Sequence, residues 1–106
     1  HYSDPGQARP YAERVLQLSP RDASALDLAG WIDFKSGKTA RAEDRLKQSI
    51  RRAPSAQAHL HLARILADQG RVGPALDQLR QAEALSSSDD MRARIKTLRD
   101  DLEATG

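Results

Sequence analysis

The 106-residue chain contains no cysteine, which removes disulfides, thiolate nucleophiles and cysteine-based zinc clusters at once. Aromatic residues amount to 4%, with one Trp, two Tyr and one Phe, so leucine and alanine must pack any core. No apolar run approaches the roughly 20 residues that a membrane-spanning helix needs, and no signal peptide is visible. The chain also lacks an excess of one charge. Its 17 Lys and Arg stand against 15 Asp and Glu, a formal net charge of +2, which is weak footing for nucleic-acid binding. β-Branched residues are sparse, whereas Ala, Leu, Arg, Gln, Asp and Glu dominate, a helical composition. The length suits one domain with a modest core. The missing cysteine fits a bacterial cytoplasm and a periplasm equally, so the compartment stays open.

What the sequence does have is a repeat. Ala23, Gly30, Gly37, Ala42, Leu46 and Ser49 return 33 residues later as Ala56, Ala63, Gly70, Ala75, Leu79 and Ala82. A fixed period of this size marks stacked supersecondary units. Small residues have a purpose at these places. Gly30, Ala42, Ala63 and Ala75 let two helices approach closely, and Gly37 and Gly70 are placed to take positive φ just past a helix end.

This pattern resembles the tetratricopeptide repeat. The matching residues are Leu26-x-x-Ala29-Gly30, Gly37, Ala42, Leu46 and Pro54, then Leu62-Ala63, Leu66, Gly70, Ala75, Leu79 and Ala82, covering about two-thirds of the chain. The resemblance implies an all-α fold of antiparallel helix-turn-helix repeats, stacked as a short right-handed superhelix with a C-terminal capping helix. It also implies a non-catalytic protein-interaction or scaffold role in the C-terminal part of a larger bacterial protein. Three residues depart from the family pattern: Asp33 stands where a large aromatic or apolar residue is usual, Ser49 where alanine is, and Ser87 where the second unit should close with proline.

The expected organisation is a second helix of an incomplete preceding repeat in residues 1–20, repeats in 21–54 and 55–87, and a cap in 88–106. The chain starts at His1 without an initiating methionine, so it reads as the trimmed tail of a longer protein. Residues 1–6 read as a lead-in. A helix from about Gln7 to Leu18 would carry Pro10 in its first turn and an apolar stripe of Tyr11, Val15 and Leu18. Asp22 caps the next helix, which runs to about Ser36. Thr39–Ala53 turns Ala42, Leu46 and Ile50 inward and Arg41, Asp44, Lys47 and Arg51 outward. Ser55 caps a helix ending near Gln69, and Pro74 opens one ending near Leu85. Ser87 with Asp90 resembles a capping box for a last helix of about Asp89–Ala104, whose stripe is Met91, Ile95, Leu98 and Leu102.

Candidate chemistry is thin. His59 and His61, two apart on a helix, point roughly 200° from one another and have no third ligand at helical spacing, so no metal is expected and His59 reads as a packed core histidine. Asp33, in a repeat's interior, would need a cationic partner, with Arg45 or Lys38 in reach. The basic run Arg41, Arg45, Lys47, Arg51, Arg52 is interrupted by Glu43 and Asp44 without interleaved aromatics, so it reads as a solvated face rather than a nucleic-acid site. No phosphate loop, nucleophile–base pair or cofactor motif is present. In the resembling family the first helix of each repeat lines the concave surface. The partner-binding candidates there are Asp27, Trp31, Phe34 and Lys35 in one repeat and Leu60, Arg64 and Asp68 in the next. Trp31 is claimed both by core packing and by partner binding. A carboxylate clamp of the family's chaperone-binding type is not expected, since only Arg64 of the corresponding residues would serve. The expected partner is a protein or peptide. Gly-Trp in one repeat followed by His-Leu in the next looks like terminal repeats of bacterial envelope and exopolysaccharide-export proteins. The alternative is therefore self-association of an envelope or assembly protein, as a homodimer through apolar surface around Tyr11 and Val15.

Overall fold

The computed structural model of the chain describes residues 5–105, in which every regular element is a helix. The order is α1 Pro5–Leu18, α2 Ala23–Lys35, α3 Thr39–Arg52, α4 Ala56–Asp68, α5 Val72–Leu85 and α6 Asp89–Thr105. Two compact units result, His1–Pro54 and Ser55–Gly106. In the first, α2 pairs with α3 and α1 lies on α2. In the second, α4 pairs with α5, and α6 packs on both.

Turn chemistry sets the hairpins. Gly37 and Gly70 have φ of +84° and +76°, the left-handed conformation that ends α2 and α4 and reverses the chain. The Lys38 and Arg71 amides then donate to the Asp33 and Leu66 carbonyls, closing both turns alike. The Asp22 carboxylate accepts from the Ala25 amide at 2.9 Å and the Ser55 hydroxyl from the Ala58 amide at 3.0 Å, so α2 and α4 start where their caps dictate. For α6 the cap is Ser88, whose hydroxyl accepts from the Met91 amide at 3.1 Å. The cap is thus Ser88 in place of the expected Ser87, and it is a single-sided cap, since Met91 stands where a capping box needs an acid.

Packing follows the small residues. Ala42, Ala63, Ala75 and Ala82 are fully buried. A Cβ on Gly30 would lie 3.1 Å from Leu46 Cγ and 3.2 Å from the Ala42 carbonyl oxygen, so α2 and α3 meet almost backbone to backbone. Leu46, Ile65, Leu79 and Ile95 are the largest apolar side chains sealed from solvent. In α6, Ile95 and Leu102 are buried while Met91 and Leu98 are half-buried, so the expected stripe faces inward.

Helix α1 differs from its expectation. It begins at Pro5, not Gln7, so Pro10 falls in the second turn, and its missing N–H removes one bond from the ladder. The residues of α1 packed with Ala29 and Ile32 of α2 are Ala12 and Leu16. Tyr11 and Leu18, placed in one stripe by the sequence pattern, are 58% and 78% exposed. Of the expected lead-in, Pro5 and Gly6 are helical and residues 1–4 lie outside the described part.

Gly30→Val should cost about 2 kcal/mol of unfolding free energy through overpacking against Leu46 and the Ala42 carbonyl. Urea denaturation followed by helical circular dichroism measures it, and a midpoint equal to that of the parent chain would contradict so tight a contact.

Candidate functional site

The last turn and a half of α2 carries the chain's densest aromatic group. Trp31 and Phe34 lie three apart, which puts them on one helix face. Their ring centroids are 5.4 Å apart at a tilt of 36°, within the range favoured by aromatic pairs. Lys35, one turn after Trp31, places its ammonium 4.9 Å from the Trp31 ring centroid, a cation–π contact. Both rings are half-buried and Lys35 is exposed, so the cluster has apolar surface beside a solvated cation. Asp27 is different: it is buried at 7% exposure, one turn up the same helix, and presents little surface to a partner.

In the second unit the three candidates also separate. Leu60 is buried at 3% exposure and belongs to the core. Arg64 is half-buried and Asp68 exposed, four residues apart on α4. The 33-residue period sets Arg64, Ala67 and Asp68 against Trp31, Phe34 and Lys35, so this unit repeats neither the aromatic pair nor the cation.

His59 is a core histidine, as its spacing suggests. Its Nδ1–H donates to Gln78 Oε1 at 2.7 Å, joining α4 to α5. Among the described residues no three His, Cys, Asp or Glu side chains come together in a way that would hold a metal ion. No helix is long and apolar enough to cross a membrane.

Asp33 has more partners than its neighbours in sequence suggest. Its carboxylate is fully buried and takes three guanidinium contacts: Arg41 Nη2 to Oδ1 at 3.1 Å, Arg41 Nε to Oδ2 at 3.2 Å, and Arg45 Nη1 to Oδ2 at 2.9 Å. The same Arg45 nitrogen reaches Glu13 of α1 at 3.1 Å. Three helices are therefore tied by one chain of charges, Glu13–Arg45–Asp33–Arg41. Arg45 is the expected partner, but Lys38 supplies only its backbone amide. Arg41, expected on the outer face, instead bends back onto Asp33. The signal for it lies in the spacing: Asp33 stands four residues before Gly37 and Arg41 four after, so an antiparallel turn sets them side by side. The hydrogen bond to Asp33, aided by charge attraction, raises the Arg41 pKa above the ordinary arginine value. A raised cation stabilises the fold at all lower pH, so this contribution is constant through neutral conditions and fades only in strong alkali.

Ser49 has an equally plain reason for departing from alanine. Its buried hydroxyl donates to the Ala23 carbonyl at 2.7 Å, pinning the end of α3 to the start of α2.

Breaking the charge chain should cost stability in proportion to burial. Arg45→Met, which leaves Asp33 with one half-exposed guanidinium, should destabilise by about 3 kcal/mol, and Arg41→Met by less. Equal denaturation midpoints for the two variants would refute that order.

The comparisons with known proteins fit this geometry. The tetratricopeptide-repeat family model matches residues 28–90. A TPR repeat-containing protein of Pseudomonas aeruginosa, PA4667, is 39% identical over 57 residues, which span 54% of this chain and 10% of that protein. The crystal structure of TTC0263, a thermophilic TPR protein in Thermus thermophilus, superposes with a TM-score of 0.77 at 25% identity. That match covers 89% of this chain and 49% of the other. The chain thus spans a tenth of the first relative and about half of the second.

Proposed function

The chain belongs to the tetratricopeptide-repeat family, and from that premise we propose that it is a non-catalytic interaction module that binds a protein segment on the face of a repeat's first helix, α2. The fold itself supports a protein-binding scaffold in general terms. The observation that carries the finer reading is the Trp31–Phe34–Lys35 cluster. A chain with four aromatic residues sets two of them together, half-exposed, at the end of a repeat's first helix. Tryptophan beside a cation is the kind of group that dominates binding energy when a partner seals it from water. On α4, Arg64 is half-buried and Asp68 exposed, while Asp27 and Leu60 are buried and act as scaffold in their own units.

Self-association is a second reading, supported by Tyr11 and Leu18, two large apolar side chains standing in solvent on α1.

Trp31 is the only tryptophan, so its fluorescence reports directly on the site. Linear peptides selected on the chain from a phage-displayed random library should shift its emission. Trp31→Ala should weaken them roughly 30-fold, as expected of a hot spot worth about 2 kcal/mol. Selected peptides that leave the emission unchanged and bind the variant equally would remove the cluster from the binding site. Sedimentation equilibrium tests the second reading. A mass near twice 11.7 kDa at micromolar concentration, lowered to one chain by Leu18→Asp, is the expected result, and a monomer throughout ends it.

A further inference from the structure

The two units differ in charge as well as in aromatics. Residues 1–54 hold ten Lys and Arg against seven Asp and Glu, a net of +3, while residues 55–106 hold seven against eight, a net of −1. The structure sharpens this asymmetry. In the first unit the described carboxylates are already engaged: Glu13 and Asp33 by arginines, Glu43 by Lys47, Asp44 by Gln48, and Asp22 by the Ala25 amide, with Asp27 buried. Its cations are not used up. Among the described residues, Arg14, Arg21, Lys38, Arg51 and Arg52 have no carboxylate within bridging distance, and Lys35 rests only on the Trp31 ring. Among the described residues, Asp22 and Asp44 meet neutral donors and no cation, but the six unpaired cations outnumber them. The unneutralised charge is thus mainly basic, and one of these cations sits on the aromatic cluster.

Resting on the protein-binding reading above, we infer that the partner is an acidic segment, with an Asp or Glu that meets Lys35 and a neighbouring aliphatic or aromatic side chain that covers Trp31 and Phe34. An ammonium held 4.9 Å from a ring centroid keeps donors free for a carboxylate oxygen alongside the indole. The residue next to that carboxylate then has the half-exposed rings to pack on. Lys38, exposed just past the Gly37 turn, extends the same charge along the end of α2, where a second acidic residue would meet it. A basic segment would face these cations unpaired. The second unit is unsuited to the same ligand, since Asp68 stands at the position of Lys35 and Ala67 at that of Phe34. Recognition is therefore centred on one repeat, with long-range charge drawing the acidic segment to it.

The test titrates the full chain with two synthetic peptide pools of equal length, one of Asp, Glu, Leu and Phe, the other of Lys, Arg, Leu and Phe, following Trp31 emission. The acidic pool should bind at least about tenfold more tightly, with an affinity that falls as salt is raised. Lys35→Glu with Lys38→Glu should abolish or invert that preference while helical circular dichroism is unchanged. The milder Lys35→Gln should weaken the acidic pool alone. Preference for the basic pool, or an acidic preference unmoved by these substitutions, would overturn the acidic-segment assignment while leaving Trp31 as a docking point. If neither pool perturbs Trp31, and library-selected peptides do not either, the docking reading itself fails. Tighter binding of a single-stranded oligonucleotide than of the acidic pool at the same salt would replace the acidic segment by a nucleic acid and also overturn the inference.

Discussion

A carboxylate with no exposed surface must be held by cations or it opposes folding, and Asp33 places that demand at the centre of the first unit. Arg41 and Arg45 meet it from α3, and Arg45 passes the demand on to Glu13 of α1. The position of α3 along α2, and of α1 against both, is therefore fixed by charge geometry as well as by shape. Apolar packing alone would tolerate small slides of one helix along another. A two-armed arginine contact does not, because its donors match a carboxylate only in a narrow range of positions.

Close backbone approach is the second constraint, and it cooperates with the first. Gly30 lets α3 come near enough for Arg41 and Arg45 to reach Asp33, and Ser49 fastens the far end of the pair to Ala23. The second unit uses the same small-residue frame with Ala63, Ala75 and Ala82 but has Leu66 at the position of Asp33. Its polar contact lies elsewhere, between His59 and Gln78. Its α6 is held to α5 by Arg99 and Glu83 at 2.9 Å, a hydrogen bond that raises the Arg99 pKa above its usual value.

The frame was legible from residues because turns and caps act locally. Gly37, Gly70, Asp22 and Ser55 each fix a boundary through their own backbone or side chain, and the 33-residue period fixes which helices pair. Depth was not legible in the same way. Helical spacing puts Asp27 on the face of Trp31 and Leu60 on that of Arg64, yet it does not say how far a neighbouring helix rises over each, and both are covered. Long side chains were harder still. Arg41 has its Cα on the outer side of α3, and only the acid it returns to makes it part of the interior. Ser88 replaced Ser87 as the cap because helix starts shift by one residue at little local cost. Pro10 sits inside α1 because the helix begins earlier than a proline-based reading allows.

The unequal polar contacts of the two hairpins also bear on how the chain avoids pairing with the wrong helix. Both hairpins are built on one small-residue pattern, so by shape alone α2 would accept α5 as readily as α3, in one chain or between two copies. In that exchange, the period would set Asp33 against Pro74 and Gln78 in place of Arg41 and Arg45, sealing a carboxylate with no cation. His59 of α4 would face Arg45 where it now has the Gln78 carbonyl oxygen. Repetition invites swapped hairpins, and buried polar contacts that differ between the two repeats penalise them.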